Sequence, residues 1–257
     1  MDKNKGQDHS PLLLVSVINL EEAAAACQGG ADIVDIKNPA EGPLGAPPPP
    51  VILAICQYLK GKKPASVALG EFPGRPCAAA LASLGAAACG PDYLKIAFPG
   101  STPAEEIVTT LKEITRGLAS CHPSPPRVVA VAYADTLASE KWTLEQLGEM
   151  AQEGGASGCL MDTWEKNGTP LPRILSREQI HSFIDNCHRR GLFCGLAGSL
   201  QPEHLFSLAQ LGPDLIGVRS AACGGDRLRG RVTAGRVSCL RALIAASREP
   251  GGEYKLP

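Results

Sequence analysis

Two opposite charges close one apolar run in Asp32-Ile33-Val34-Asp35-Ile36-Lys37-Asn38-Pro39. Side chains alternate along an extended chain, so Asp35 and Lys37 share a face. If that face is buried, desolvation pushes the amine toward its neutral form while the carboxylate favours the charged one. That balance suits a nucleophile or a proton carrier. An exposed ion pair at a strand end is the alternative. A second lysine, Lys95, stands inside Tyr93-Leu94-Lys95-Ile96-Ala97-Phe98, where an ionised group is costly without a purpose. Asp162 ends the run Cys159-Leu160-Met161, and Lys166 follows in the next loop.

Anion-binding chemistry is concentrated later in the chain. Gly195-Leu196-Ala197-Gly198-Ser199-Leu200 offers backbone N–H groups and a hydroxyl at Gly198 and Ser199. Gly217-Val218-Arg219-Ser220 adds a hydroxyl at Ser220 and an expected fixed positive charge at Arg219, read as lying at an open strand end. Glu71, after Leu69-Gly70, could reach the same region. Asp135 fits a helix cap as well as a site. Asp32 and Asp92 precede their runs and are assigned no chemistry. His188 and His204 fall in helical segments and are read as surface residues, and no nucleophile-elbow motif supports a Ser-His-Asp arrangement.

These residues need elements that place them together. Eight short apolar runs recur: Leu12 to Ile18, Asp32 to Ile36, Ala65 to Leu69, Tyr93 to Ala97, Val128 to Tyr133, Gly158 to Met161, Leu192 to Leu196 and Leu215 to Val218. Amphipathic segments separate them, at Leu20 to Gln28, Pro49 to Leu59, Arg75 to Ala88, Pro103 to Ala119, Thr143 to Glu153, Arg177 to Arg190, Pro202 to Leu211 and Ala234 to Ser247. Cap-like residues precede several of these, among them Asn19, Thr102, Ser176 with Gln179, and Ser199. Such alternation predicts a single α/β domain, a closed (β/α)8 TIM barrel, with its chemistry at the C-terminal strand ends. An open dinucleotide-binding sheet would want a glycine-rich turn after the first run, and Ser16-Val17-Ile18-Asn19 has none. Residues 12–247 are assigned to the catalytic barrel, with 1–11 a flexible extension and 248–257 a flexible tail.

Composition excludes other classes. Twenty-five basic and twenty-six acidic residues give a net charge of −1, and aromatics make up 4%, which argues against a nucleic-acid partner. No apolar run approaches a membrane span, and the N-terminus lacks a secretory pattern, so a cytoplasmic protein is expected. The ten cysteines are scattered without a C-x-x-C pair and are read as small buried residues rather than disulfides or metal ligands.

Several blocks together resemble the (5-formylfuran-3-yl)methyl phosphate synthase family, also called 4-(hydroxymethyl)-2-furancarboxaldehyde-phosphate synthase. They are Asp35-Ile36-Lys37-Asn38-Pro39 with Glu41-Gly42 and Leu44-Gly45-Ala46, Asp92-Tyr93-Leu94-Lys95, Tyr133-Ala134-Asp135, Met161-Asp162-Thr163, Leu196-Ala197-Gly198-Ser199-Leu200 and Gly217-Val218-Arg219. The likeness runs from about Leu12 to Leu243. It implies a class I aldolase-like barrel, a lyase that condenses two glyceraldehyde 3-phosphate molecules, in methanofuran-type one-carbon cofactor biosynthesis. By motif match, Lys37 would be the Schiff-base lysine and Lys95 the proton acceptor, with Asp35, Asp162 and Lys166 assisting. No cofactor or metal is expected, because an imine is itself an electron sink. The expected partner is a small phosphorylated aldehyde; the oligomeric state stays open, a homo-oligomer included. Two other readings share the phosphate site: another class I aldolase or isomerase acting on triose phosphates, and a barrel that only binds a sugar phosphate.

Overall fold

A computed structural model describes residues 10–139 and 141–247. Eight parallel strands close into a barrel in sequence order, with the last pairing to the first. They are β1 (Leu12–Val17), β2 (Ile33–Ile36), β3 (Ala65–Ala68), β4 (Tyr93–Phe98), β5 (Arg127–Tyr133), β6 (Gly158–Asp162), β7 (Phe193–Leu196) and β8 (Leu215–Val218). Each agrees with its expected run to within one residue at either end. The helices are α1 (Leu20–Gln28), α2 (Pro49–Leu59), α3 (Pro76–Ala87), α4 (Ala104–Cys121), α5 (Leu144–Glu153), α6 (Leu171–Ile174), α7 (Arg177–Arg189), α8 (Pro202–Ala209), α9 (Ser220–Cys223) and α10 (Ala234–Ala246). The short α6 and α9 have no counterpart in the sequence pattern. The expected loose ends lie outside the described residues, apart from Ser10 and the buried Pro11.

Strand alternation divides the core into two layers. Val15, Ile36, Ile96 and Met161 point outward against helix residues such as Leu111 and Phe183. Leu14, Ile33, Val129, Leu160 and Leu215 point inward and fill the barrel. At the base of the interior, the rings of Tyr93 and Phe193 meet edge to face, with centroids 6.0 Å apart. That apolar fill leaves the inward positions near the C-terminal strand ends for polar groups.

Three aspartates at strand starts repeat one device. Asp32, Asp92 and Asp214 accept the backbone N–H groups of Leu13, Ala65 and Cys194, at 2.8, 2.8 and 2.7 Å. They tie the N-terminal face together, in keeping with the structural reading of Asp32 and Asp92. Two of the expected caps hold: Asn19 accepts from the Glu22 N–H, and Ser176 forms a reciprocal box with Gln179. Two do not. Helix α4 starts from Pro103 without a side-chain cap, and α8 is capped by Gln201 with His204, which takes that histidine off the plain surface.

All ten cysteines are free. Cys56, Cys159, Cys187, Cys194 and Cys223 are buried as expected, whereas Cys77, Cys121 and Cys239 are exposed, a correction to the uniform reading. No helix among the described residues is long and apolar enough to cross a membrane.

Candidate active site

Asp35 is fully buried inside the barrel, directly opposite Ser16 of β1 and Ser66 of β3 in the strand register. Its Oδ2 accepts from the Ser16 hydroxyl at 2.8 Å and from the Lys95 ammonium at 2.7 Å. The carboxylate expected to serve Lys37 is therefore engaged by the lysine of β4.

Lys37 lies one residue beyond β2, held there by its backbone N–H to the Val17 carbonyl at 3.1 Å. The following loop folds back on itself, with Asn38 N–H donating to the Gly45 carbonyl at 2.8 Å. A Cβ on Gly45 would stand 2.2 Å from the Asn38 carbonyl oxygen, so only glycine fits the fold-back. Through it the Pro43 carbonyl comes to 3.5 Å from Lys37 Nζ, a long contact. Among the described residues Lys37 has no carboxylate within ion-pair distance. Burial lowers its ammonium from 10.5 to about 7, with Lys95 and Lys166 pushing the same way against Asp162 and Asp35. A good fraction of the amine is thus free near neutral pH.

Asp162 ends β6 and pairs with Lys166 at 2.7 Å, while its Oδ1 also accepts the Thr163 N–H at 2.7 Å. Burial pushes its carboxyl up, but Lys166 and Lys37 outweigh that and hold it below its usual range. The loop carrying Lys166 is tethered by Asp135, whose two oxygens accept the N–H groups of Trp164 and Glu165, each at 2.7 Å. Asp135 is a tether here. Glu71 does reach the mouth, where the Tyr133 hydroxyl donates to it, and Trp164 packs edge-on against the Tyr133 ring at 5.2 Å. Burial raises both the Glu71 carboxyl and the Tyr133 phenol above their ordinary values.

After β7, Gly198 and Ser199 both turn through positive φ, at 104° and 50°. A Cβ on Gly198 would meet Thr163 Cγ2 at 2.8 Å, so the β7 loop packs directly on the β6 loop. Ser220 opens α9 and lines the same pocket at the barrel mouth as Lys37, Asp162, Lys166 and Ser199. A more open surface groove lies at the other end of the barrel around Lys60, Lys62 and Asp92. It lacks a buried ionisable cluster, so the mouth is the candidate site.

The reading of Arg219 as an open-ended charge is corrected. Its side chain is only 4% exposed and its guanidinium grips both carboxylate oxygens of Glu22 in α1. It also donates to the Ser16 carbonyl at 3.0 Å and to the Arg227 carbonyl at 3.1 Å. Barrel closure places β8 beside β1, so the first helix supplies its counter-ion. Glu22→Ala should leave a buried charge unpaired and destabilise the protein by about 3–5 kcal/mol. Urea denaturation of the variant beside the wild type measures this; a change below about 1 kcal/mol would mean that the pair is not a structural strut.

A closed parallel barrel whose mouth holds a buried lysine, without a carboxylate partner among the described residues, beside two lysine–carboxylate pairs has the architecture of a (β/α)8 enzyme. The chain belongs to the 4-HFC-P synthase family, whose pattern matches residues 13–241. It is 39% identical over 234 residues to a (5-formylfuran-3-yl)methyl phosphate synthase from Methanothermobacter thermautotrophicus, covering 91% of this chain and 98% of that one. With the protein of the same name from Methanosarcina acetivorans it shares 40% over 233 residues, 91% and 97% of the two chains. In fold it is similar to 3-hexulose-6-phosphate synthase from Salmonella typhimurium, with a TM-score of 0.63 at 18% identity over 91% of this chain and 98% of that one. The KGPDC of Streptococcus mutans gives 0.63 at 14%, covering 92% and 98%.

Proposed function

We propose that this enzyme makes (5-formylfuran-3-yl)methyl phosphate from two molecules of glyceraldehyde 3-phosphate, in methanofuran-type cofactor biosynthesis in the cytoplasm. The observation that carries the reading is Lys37: a buried amine at the strand ends, without a carboxylate partner among the described residues and with a proton affinity lowered by burial to about 7. Family membership agrees with it.

In this reading Lys37 Nζ adds to the aldehyde of one triose phosphate and loses water to give an imine. Lys95, once it has passed its ammonium proton to the Asp35 carboxylate, takes the proton from the adjacent carbon, and the resulting enamine attacks the second aldehyde. Ring closure and elimination release one phosphate and two waters in total, and hydrolysis of the imine frees Lys37. Asp162 and Lys166, an ion pair able to exchange a proton, serve as base and acid in the eliminations. Gly198, Ser199 and Ser220 offer N–H and hydroxyl donors to a substrate phosphate.

Purified protein incubated with glyceraldehyde 3-phosphate alone should release one phosphate for every two substrate molecules consumed. A product of the furan phosphate's mass should appear, with the ultraviolet absorbance of a conjugated aldehyde. A simple aldol adduct or an isomer, neither of which is conjugated, would contradict the proposal.

A further inference from the structure

Among the described residues, five cationic side chains line the mouth, and charge pairing separates them. Lys95 is held by Asp35, Lys166 by Asp162 and Arg219 by Glu22, at distances that leave these three locally neutralised. Lys37 serves as the free amine. Arg227 remains. Among the described residues it has no carboxylate partner, and its one side-chain bond is from Nη2 to the Gly42 carbonyl at 3.1 Å. A guanidinium carries five N–H donors in a planar fork, so most of its donor capacity is unengaged while the side chain is half-buried in the cavity wall.

The loop around Arg227 is fixed rather than draped. Its carbonyl accepts from Arg219 Nε at 3.1 Å, Gly225 N–H closes on the Ser220 carbonyl at 2.8 Å, and Asp226 Oδ1 takes the N–H groups of Leu228 and Arg229, both at 2.9 Å. The fork and the nucleophile meet neighbouring carbonyls of one short loop. Arg227 holds Gly42, and the next residue's carbonyl is the one facing Lys37 Nζ. In a triose phosphate bound to Lys37, only three carbons and an ester oxygen separate the imine nitrogen from phosphorus. The charge that recognises this phosphate must therefore stand close to Lys37, and it must not already be neutralised.

We propose that Arg227 is the side chain that binds the phosphate dianion of the triose carried on Lys37, the role the sequence suggested for Arg219. This rests on the condensation reading above and adds its specificity-determining residue. The guanidinium meets two phosphate oxygens side by side, a geometry that a lysine cannot reproduce.

The test uses the intact protein with Arg227→Gln and Arg227→Lys, titrated with inorganic phosphate and assayed with glyceraldehyde 3-phosphate. Arg227→Gln should weaken phosphate binding and raise KM by about 10- to 100-fold, with a much smaller change in kcat. Arg227→Lys should fall between. Borohydride trapping of unphosphorylated glyceraldehyde should be equal in all three proteins, whereas trapping of the phosphorylated aldehyde should need far higher concentration in Arg227→Gln. A merely structural role would affect both aldehydes alike. Unchanged phosphate affinity in both variants, or an undiminished preference for the phosphorylated aldehyde, overturns the proposal. Should Arg227→Gln fail to fold, the same readouts on Arg227→Lys decide. Absence of any wild-type adduct would sink the imine reading instead, and the phosphate titration would still report on Arg227.

Discussion

Lys37→Met should lower turnover by roughly 10⁴-fold or more, the scale on which loss of a covalent nucleophile is felt. Methionine fills similar space without an amine, so the barrel should persist. The same residue sets a pH dependence. An imine forms only from the free amine, so wild-type kcat/KM should rise with pH through about 7 and then level off. Stability should move in the same sense. Burial lowers the folded-state value to about 7, below the 10.5 of an unperturbed lysine, so between those limits the unfolded chain binds the extra proton. Unfolding free energy therefore rises with pH from about 7 toward 10.5, and this increment should vanish in Lys37→Met. Urea denaturation of both proteins on either side of that lower limit, at about pH 6 and about pH 9, reads the difference; parallel changes would show that Lys37 is not held neutral by burial.

Lys95→Arg is the second large effect. The arginine retains a positive charge opposite Asp35, whose Oδ2 lies 2.7 Å from the native ammonium, but it does not deprotonate in proteins. Proton transfer at the carbon next to the imine should fail, and kcat should fall by about 10²- to 10⁴-fold with little change in KM. The imine on Lys37 should still form and be trapped, because that step does not need Lys95. Unfolding temperatures of variant and wild type, compared in the same buffer, check that the fold survives. Activity above a few per cent of wild type would place the proton acceptor elsewhere.

The strands were legible because inward and outward faces of a parallel barrel are both apolar, so each strand reads as an unbroken run between polar loops. Period two also placed Asp35 and Lys37 on one inner face. It could not say which cation Asp35 would meet. That choice depends on Lys95, sixty residues away, which the barrel's register brings onto the same carboxylate. Arg219 was misplaced for the same reason. Its partner Glu22 is 197 residues distant and reads locally as an ordinary acid in the first turn of a helix. Arg227 had no signal of its own. It follows the four-residue α9, too short to show a period, in a loop whose glycines and charges resemble any turn. Glu71 was visible as a residue near the mouth, but its bond to Tyr133 joins the β3 loop to the end of β5 and has no local trace.

The central claim is that Lys37 is the amine that forms the imine. Wild-type protein mixed with glyceraldehyde 3-phosphate and borohydride, digested and mapped by mass spectrometry, tests it directly. One reduced triose phosphate adduct on the peptide containing Lys37, absent in Lys37→Met, is the predicted result. An adduct on Lys95 or Lys166, or none on any lysine while the furan product still forms, would contradict it.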